Sequence, residues 1–126
     1  MSHAMTITER ETFLADVHVG ILGVQTETAP LAVPVWYAYT PGGDITVITS
    51  PDSVKGRALA DSMRFSLCAQ LETLPYKYVT VEGSVASIEP CSDDTVRAMA
   101  HRYLGDELGD AYVAGAGDPG HVYHLR

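Results

Sequence analysis

A chain of 126 residues, 46% of them apolar and 19% charged, has the size and composition of one compact domain with one hydrophobic core. Its 8 basic against 16 acidic residues leave a formal charge of −8, which argues against broad binding to nucleic acid or anionic lipid, because a phosphate-rich surface needs a basic one. Cys68 and Cys91 belong to no CxxC pair or zinc pattern, so neither a disulfide scaffold nor a structural metal site is expected. No stretch approaches the roughly 18 successive apolar residues of a membrane span. The opening MSHAMTITERE is polar and charged, without the apolar segment of a signal peptide, and a cytoplasmic location is expected. Residues 1–7 are expected to be disordered or foreign to the natural chain.

Thr8 and Glu11 match a capping box, with Phe13, Leu14 and Val17 as an apolar stripe, and predict a short helix over about residues 8–16. Strand-like runs follow at 18–24, 31–39 and 45–49, broken by residues 26–30 and by the turn Pro41-Gly42-Gly43-Asp44. The second and third of these strands are expected to form a hairpin. Residues 50–62 switch to a helical pattern, weakened by Gly56. Residues 64–71 alternate, with Phe65, Leu67, Ala69 and Leu71 on one face, and 76–88 is a long strand with Val79, Val81 and Val85 on one face. Gly83, on that same face, marks a bulge or a close backbone approach. Ser92 caps a helix that begins with two acids and ends at Gly105. A weaker helix follows over 106–114, then a glycine-rich loop and a last strand at 122–125. Five or six strands with small helices predict a mainly β fold, a small β-barrel.

Positive charge is concentrated at one place: only Arg10 precedes residue 55, and Lys55, Arg57 and Arg64 then fall within ten positions. Ser50 and Ser53 stand just ahead, where a strand hands over to a helix. Hydroxyls, free N–H groups and a Lys/Arg pair suit a phosphate; the same residues also read as a helix cap with solvated charges. The stretch Val33-Pro34-Val35-Trp36-Tyr37 holds the one tryptophan beside a proline that cannot donate to a ladder. It reads as an irregular strand facing a planar ligand, or as an edge strand of the core. Tyr76, Tyr78, Thr80 and Glu82 share one strand face. The five histidines give no metal spacing, and no nucleophile elbow, zinc-protease, P-loop or dinucleotide motif occurs. No catalytic residue is assigned.

In order, the segments FLADVHVGILGV, PLAVPVWYAY, ITVITSPDSVKGRAL, RFSLCAQ, YKYVTVEGSV and HRYLGDELGDAYV resemble the pyridoxamine-5′-phosphate-oxidase-like FMN-binding split-barrel family, in particular its flavin/deazaflavin oxidoreductase branch. The resemblance runs through nearly the whole chain and implies a split β-barrel that forms a homodimer with cofactor sites at the interface. Thr49, Ser50, Ser53, Lys55 and Arg57 match the family's grip on the cofactor phosphate. Pro34, Val35 and Trp36 match the strand along the cofactor ring, and Tyr78 a ring- or tail-side contact. His18 falls near the site mouth.

The chain departs from the pattern after Lys55, where KGRALADSM replaces the family's K-x-R-N-L-R-x-D-P and so lacks an arginine and an asparagine of the anion grip. It also stops at Arg126, where many relatives continue into a segment with a tryptophan. The resemblance implies an oxidoreductase that binds F420 or FMN, F420 slightly favoured, and transfers hydride to an unsaturated organic substrate. The alternatives are a non-catalytic carrier or sensor of flavin, deazaflavin or haem, with His18 or His121 as haem ligand, and a dimeric scaffold whose site has decayed.

Overall fold

The computed structural model describes residues 5–126; the sequence expectation for residues 1–4 lies outside the described residues. Thr6 opens the fold. Its hydroxyl accepts from the Glu9 N–H and the Glu9 carboxylate accepts from the Thr6 N–H, so the capping box sits two residues earlier than Thr8 and Glu11. It starts α1 (Ile7–Ala15), which buries Phe13 and Leu14. Thr6 and Ile7, expected outside the fold, are thus a helix cap and first turn, and Met5 packs against the core.

Seven strands follow: β1 (Gly20–Val24), β2 (Leu31–Val35), β3 (Ala38–Tyr39), β4 (Ile45–Thr49), β5 (Arg64–Leu71), β6 (Lys77–Pro90) and β7 (His121–Leu125). They make one antiparallel sheet in the order β2-β1-β5-β6-β7-β4-β3. The expected hairpin between residues 31–39 and 45–49 forms only in part. β2 pairs with β1 instead, and only Ala38 and Tyr39 pair with β4. The cause is the interruption at Trp36 and Tyr37, where the run leaves one edge of the sheet and rejoins at the other.

The long strand β6 curls the sheet. Its first part pairs with β5 from Lys77 to Ser84 and its second with β7 from Val85 to Pro90, with a register shift between Val85 and Ser87. Such a shift bends a strand and raises its twist. Gly83 is a close approach rather than the bulge itself: a Cβ there would strike the Arg126 carbonyl, while Ser84 and Arg126 exchange backbone hydrogen bonds of 2.8 and 2.9 Å. Inside the curl lie the fully buried Leu22, Tyr37, Val47, Leu67, Tyr123 and Leu125, and each such aliphatic side chain contributes roughly 1.5–3 kcal/mol.

Two further helices close the sheet. α2 (Val54–Ser62) crosses from β4 to β5, with Leu59 fully buried. α3 (Asp93–Gly115), capped by Ser92, is broken at Gly105, whose φ of 80° and ψ of 178° are non-helical. The expected stop at Gly105 and the expected second helix are therefore both present, with Gly109 of the second half packed on the backbone of Ala100 and His101 in the first.

Candidate functional site

Pro34 occupies an edge strand, paired with Ile21 on one side only, where a residue without an N–H costs no ladder bond. Beyond Val35 the backbone leaves the ladder, so the polar groups of Tyr37 need other partners. α3 supplies them. The Tyr37 N–H donates to the Tyr103 hydroxyl at 2.9 Å and its carbonyl accepts from Arg102 Nε at 3.0 Å. The Tyr103 hydroxyl donates in turn to the His18 carbonyl at 2.6 Å, and Arg102 Nη2 donates to the carbonyls of Ala15 and Asp16 at 3.0 and 2.9 Å. The Tyr37 ring is fully buried, its hydroxyl donating to the Leu14 carbonyl at 2.6 Å. Burial first, and then neighbouring Tyr103, pushes its phenol pKa upward, so this tyrosine is a strut and not an acid.

Trp36 is thereby turned toward α3. Its ring stacks on Tyr103 at 5.0 Å between centroids and 6° between planes, and meets Tyr112 at 5.4 Å and 47°. Beside it is a cavity of about 210 Å³ lined by Pro34, Val35, Trp36, Ile48, Lys55, Val96, Met99 and Tyr112. The ring-side trio singled out in the sequence and the lysine of the basic cluster therefore share one wall-to-wall space. A larger cavity of about 420 Å³ lies under α1, lined by Leu14, Phe65 and Val79 among others, and touches none of those residues.

The start of α2 gathers the hydroxyls. Ser53 is the N-cap, its Oγ accepting from the Gly56 N–H at 3.0 Å and donating to the Ser50 carbonyl at 2.7 Å, with Thr49 Oγ1 3.0 Å away. Ser50 Oγ accepts from the Asp52 N–H at 3.2 Å. Thr49, Ser50 and Ser53 thus form one hydrogen-bonded turn. Gly56, which reads as a helix-weakening residue, has a packing reason: a Cβ there would strike the Ser50 carbonyl and come within 2.8 Å of the Tyr123 hydroxyl. Opposite Thr49 across the ladder stands His121, whose Nδ1 is buried without a hydrogen-bond partner. Directly paired residues share a sheet face, so this spare nitrogen lies on the same side as the Thr49 hydroxyl.

The structure does not bring every candidate together. Arg57 lines a separate groove with Gln25, Thr26, Asp61 and Arg64, because two positions along a helix turn a side chain by about 200°. Tyr78 is 69% exposed on β6, opposite Gln70, away from the cavity. His18 is held at Phe13, its ring stacked at 4.4 Å and its Nε2 3.0 Å from the Phe13 carbonyl. Among the described residues no three His, Cys, Asp or Glu side chains converge on a metal-sized point. The missed wall is α3: Val96 and Met99 lie on the apolar stripe of its first half and Tyr112 in the weaker helix after Gly105, and nothing local says that they face Trp36.

No protein-family model and no curated protein sequence matches the chain. Solved structures do. An F420 reductase superposes with a TM-score of 0.71 at 20% identity, covering 92% of this chain and 90% of that one. An FAD-binding protein from Mesorhizobium loti gives 0.65 at 19%, covering 96% and 88%. A haem storage protein from Vibrio cholerae gives 0.63 at 17%, covering 95% and 86%. The fold is a split barrel. At these identities the likeness establishes the architecture, and the ligand is argued from the residues. Among the described residues no helix is long and apolar enough to cross a membrane.

Proposed function

We propose that this split barrel binds a flavin-type cofactor, F420 or FMN, with its ring against Pro34, Val35 and Trp36 and its phosphate at the start of α2, and that it acts as an oxidoreductase on a small unsaturated organic substrate. The observation that carries this reading is that Lys55, one turn from the Thr49–Ser50–Ser53 hydroxyls, enters the same cavity as the Pro34–Trp36 strand end. The donor set suits the group. The N–H groups of Val54 and Lys55 open a helix and have no intrahelical carbonyl, hydroxyls and an ammonium stand beside them, and the unpartnered His121 Nδ1 lies across from Thr49. Together they form a cationic and hydrogen-bonding locus on a chain of charge −8.

When bound, such a cofactor supplies the hydride chemistry, and the protein supplies position, electrostatics and dryness. Trp36, Ile48, Val96 and Met99 offer apolar walls that exclude water. Lys55 places a positive charge at the cavity edge, where it holds an anionic group by charge-assisted hydrogen bonds. The edge position of Pro34 leaves this strand end free of a further neighbour, so a planar ring can lie along it. A homodimer, as the sequence resemblance implies, would bring exposed surfaces such as the Tyr78 face of β6 against a second copy. The second reading, haem carriage, is disfavoured by geometry: His18 is engaged at Phe13 and neither it nor His121 lines the cavity.

The deciding experiment is a titration of the protein with FMN, F420 and haem, followed by Trp36 emission and ligand absorbance. Selective binding of FMN or F420 is expected. Lys55→Ala should weaken that binding at least about tenfold, some 1.4 kcal/mol, while changing folding stability by no more than about 0.5 kcal/mol, Lys55 being half-buried and outside the core. Absence of binding by FMN and F420, or an equal loss of stability in the variant, would overturn the reading.

A further inference from the structure

The cavity beside Trp36 is smaller than its proposed use requires. Small-molecule sites hold roughly 300–1,000 Å³, against about 210 Å³ here. One wall can move. Tyr112 belongs to the part of α3 beyond Gly105, a part whose one buried residue is Gly109 and whose Leu108 and Tyr112 are 63% and 49% exposed. Gly105 holds φ 80° and ψ 178°, a conformation essentially confined to glycine, so the two halves meet at a ready hinge.

Besides the packing of Gly109 on the backbone of Ala100 and His101, a set of charges fastens the outer half. His101, on the inner half, has Nε2 2.7 Å from Asp110 Oδ1 and Nδ1 3.4 Å from Asp106 Oδ1. Arg97 reaches Asp110 at 3.4 Å and its own neighbour Asp94 at 3.3 Å. Gly109 lets the imidazole lie flat against the outer half, since a Cβ there would strike its ring. An imidazole donates from both nitrogens only when it carries two protons. With both carboxylates served, the latch is complete; with the ring neutral, one of them loses its donor and only the Arg97 contact to Asp110 remains unchanged. The hydrogen bond from His101, with the nearby charges, also holds the Asp110 carboxyl below its ordinary pKa.

We propose that the outer half of α3 is a lid over the Trp36 cavity, hinged at Gly105 and latched by His101 between Asp106 and Asp110, and that the lid must lift to admit the ring of the cofactor. The lid rests on the preceding functional reading only for the identity of the ligand. The latch is strongest where both carboxylates are ionised and the imidazole carries a proton on each nitrogen, and it loosens when either partner is removed.

Trp36 is the one tryptophan of the chain and touches Tyr112, so its exposure reports the lid directly. In the ligand-free protein, acrylamide quenching of Trp36 is expected to be about twofold greater in His101→Gln and Asp110→Asn than in the unsubstituted protein; neither residue belongs to the buried core. The association rate of FMN, followed by stopped flow, should rise at least about threefold in both variants. Quenching that ignores both substitutions would overturn the lid, even if FMN binds well. Quenching that responds while FMN fails to bind would uphold the lid and overturn the ligand assignment.

Discussion

Before Gly105, α3 is fastened to the barrel by Arg102 and Tyr103, which satisfy backbone groups of Ala15, Asp16, His18 and Tyr37, and by the buried Met99 and Ala100. Beyond Gly105 the helix is fastened by carboxylates meeting His101 and Arg97, by one tyrosine leaning on Trp36 and by the close packing of Gly109 on the backbone of Ala100 and His101. The first kind of contact is costly to remove, because it leaves backbone groups without partners. The second is worth little to folding, since exposed ion pairs contribute about 0–1 kcal/mol and are screened by salt. The same helix therefore contains a structural post and a weakly held flap, and the candidate cavity lies where the two meet.

Breaking the post should cost most. Arg102→Ala removes three hydrogen bonds from a charged donor and is expected to lower stability by about 3 kcal/mol, roughly a 10 °C fall in Tm, read by thermal or urea unfolding. Tyr103→Phe keeps the ring stacked on Trp36 but strands the Tyr37 N–H, for a loss of about 2 kcal/mol; an unchanged Tm would mean that water replaces the hydroxyl. Gly105→Ala tests the hinge. It should cost about 1–2 kcal/mol through the disfavoured φ and ψ and alter Trp36 quenching, an effect that neither post variant is required to show. Smallest in stability are the latch variants, whose Tm should stay within the error of surface substitutions while Trp36 accessibility moves. If Asp110→Asn instead unfolds the protein as Arg102→Ala does, the distinction between post and flap is lost.

Most elements were legible because their signals are local. The alternation of residues 64–71, the turn at 41–44 and the Ser92 cap need only near neighbours to act. Errors came where local signals compete or where contacts are distant. Thr6 and Thr8 are both eligible caps, and only the reach of Glu9 decides between them. The run 31–39 has uniform strand character, yet its break at Trp36 exists because Arg102 and Tyr103, more than sixty positions later, receive the freed Tyr37 groups. Of the site, the turn Thr49–Ser50–Ser53 and the strand Pro34–Trp36 were visible as motifs. That Lys55 joins the latter and Arg57 turns away is set by helical rotation against a fixed wall.

By itself, the amino-acid pattern determined a mainly β fold with its polar turn before α2 and its break at Gly105, since periodicity, capping and backbone freedom act over a few residues. Only the tertiary structure decided which strands are neighbours, that α3 serves the backbone of Tyr37, and that Tyr112 and Lys55 face one cavity. Those outcomes depend on which distant groups can satisfy one another once water is excluded, and no short stretch of chain carries that information.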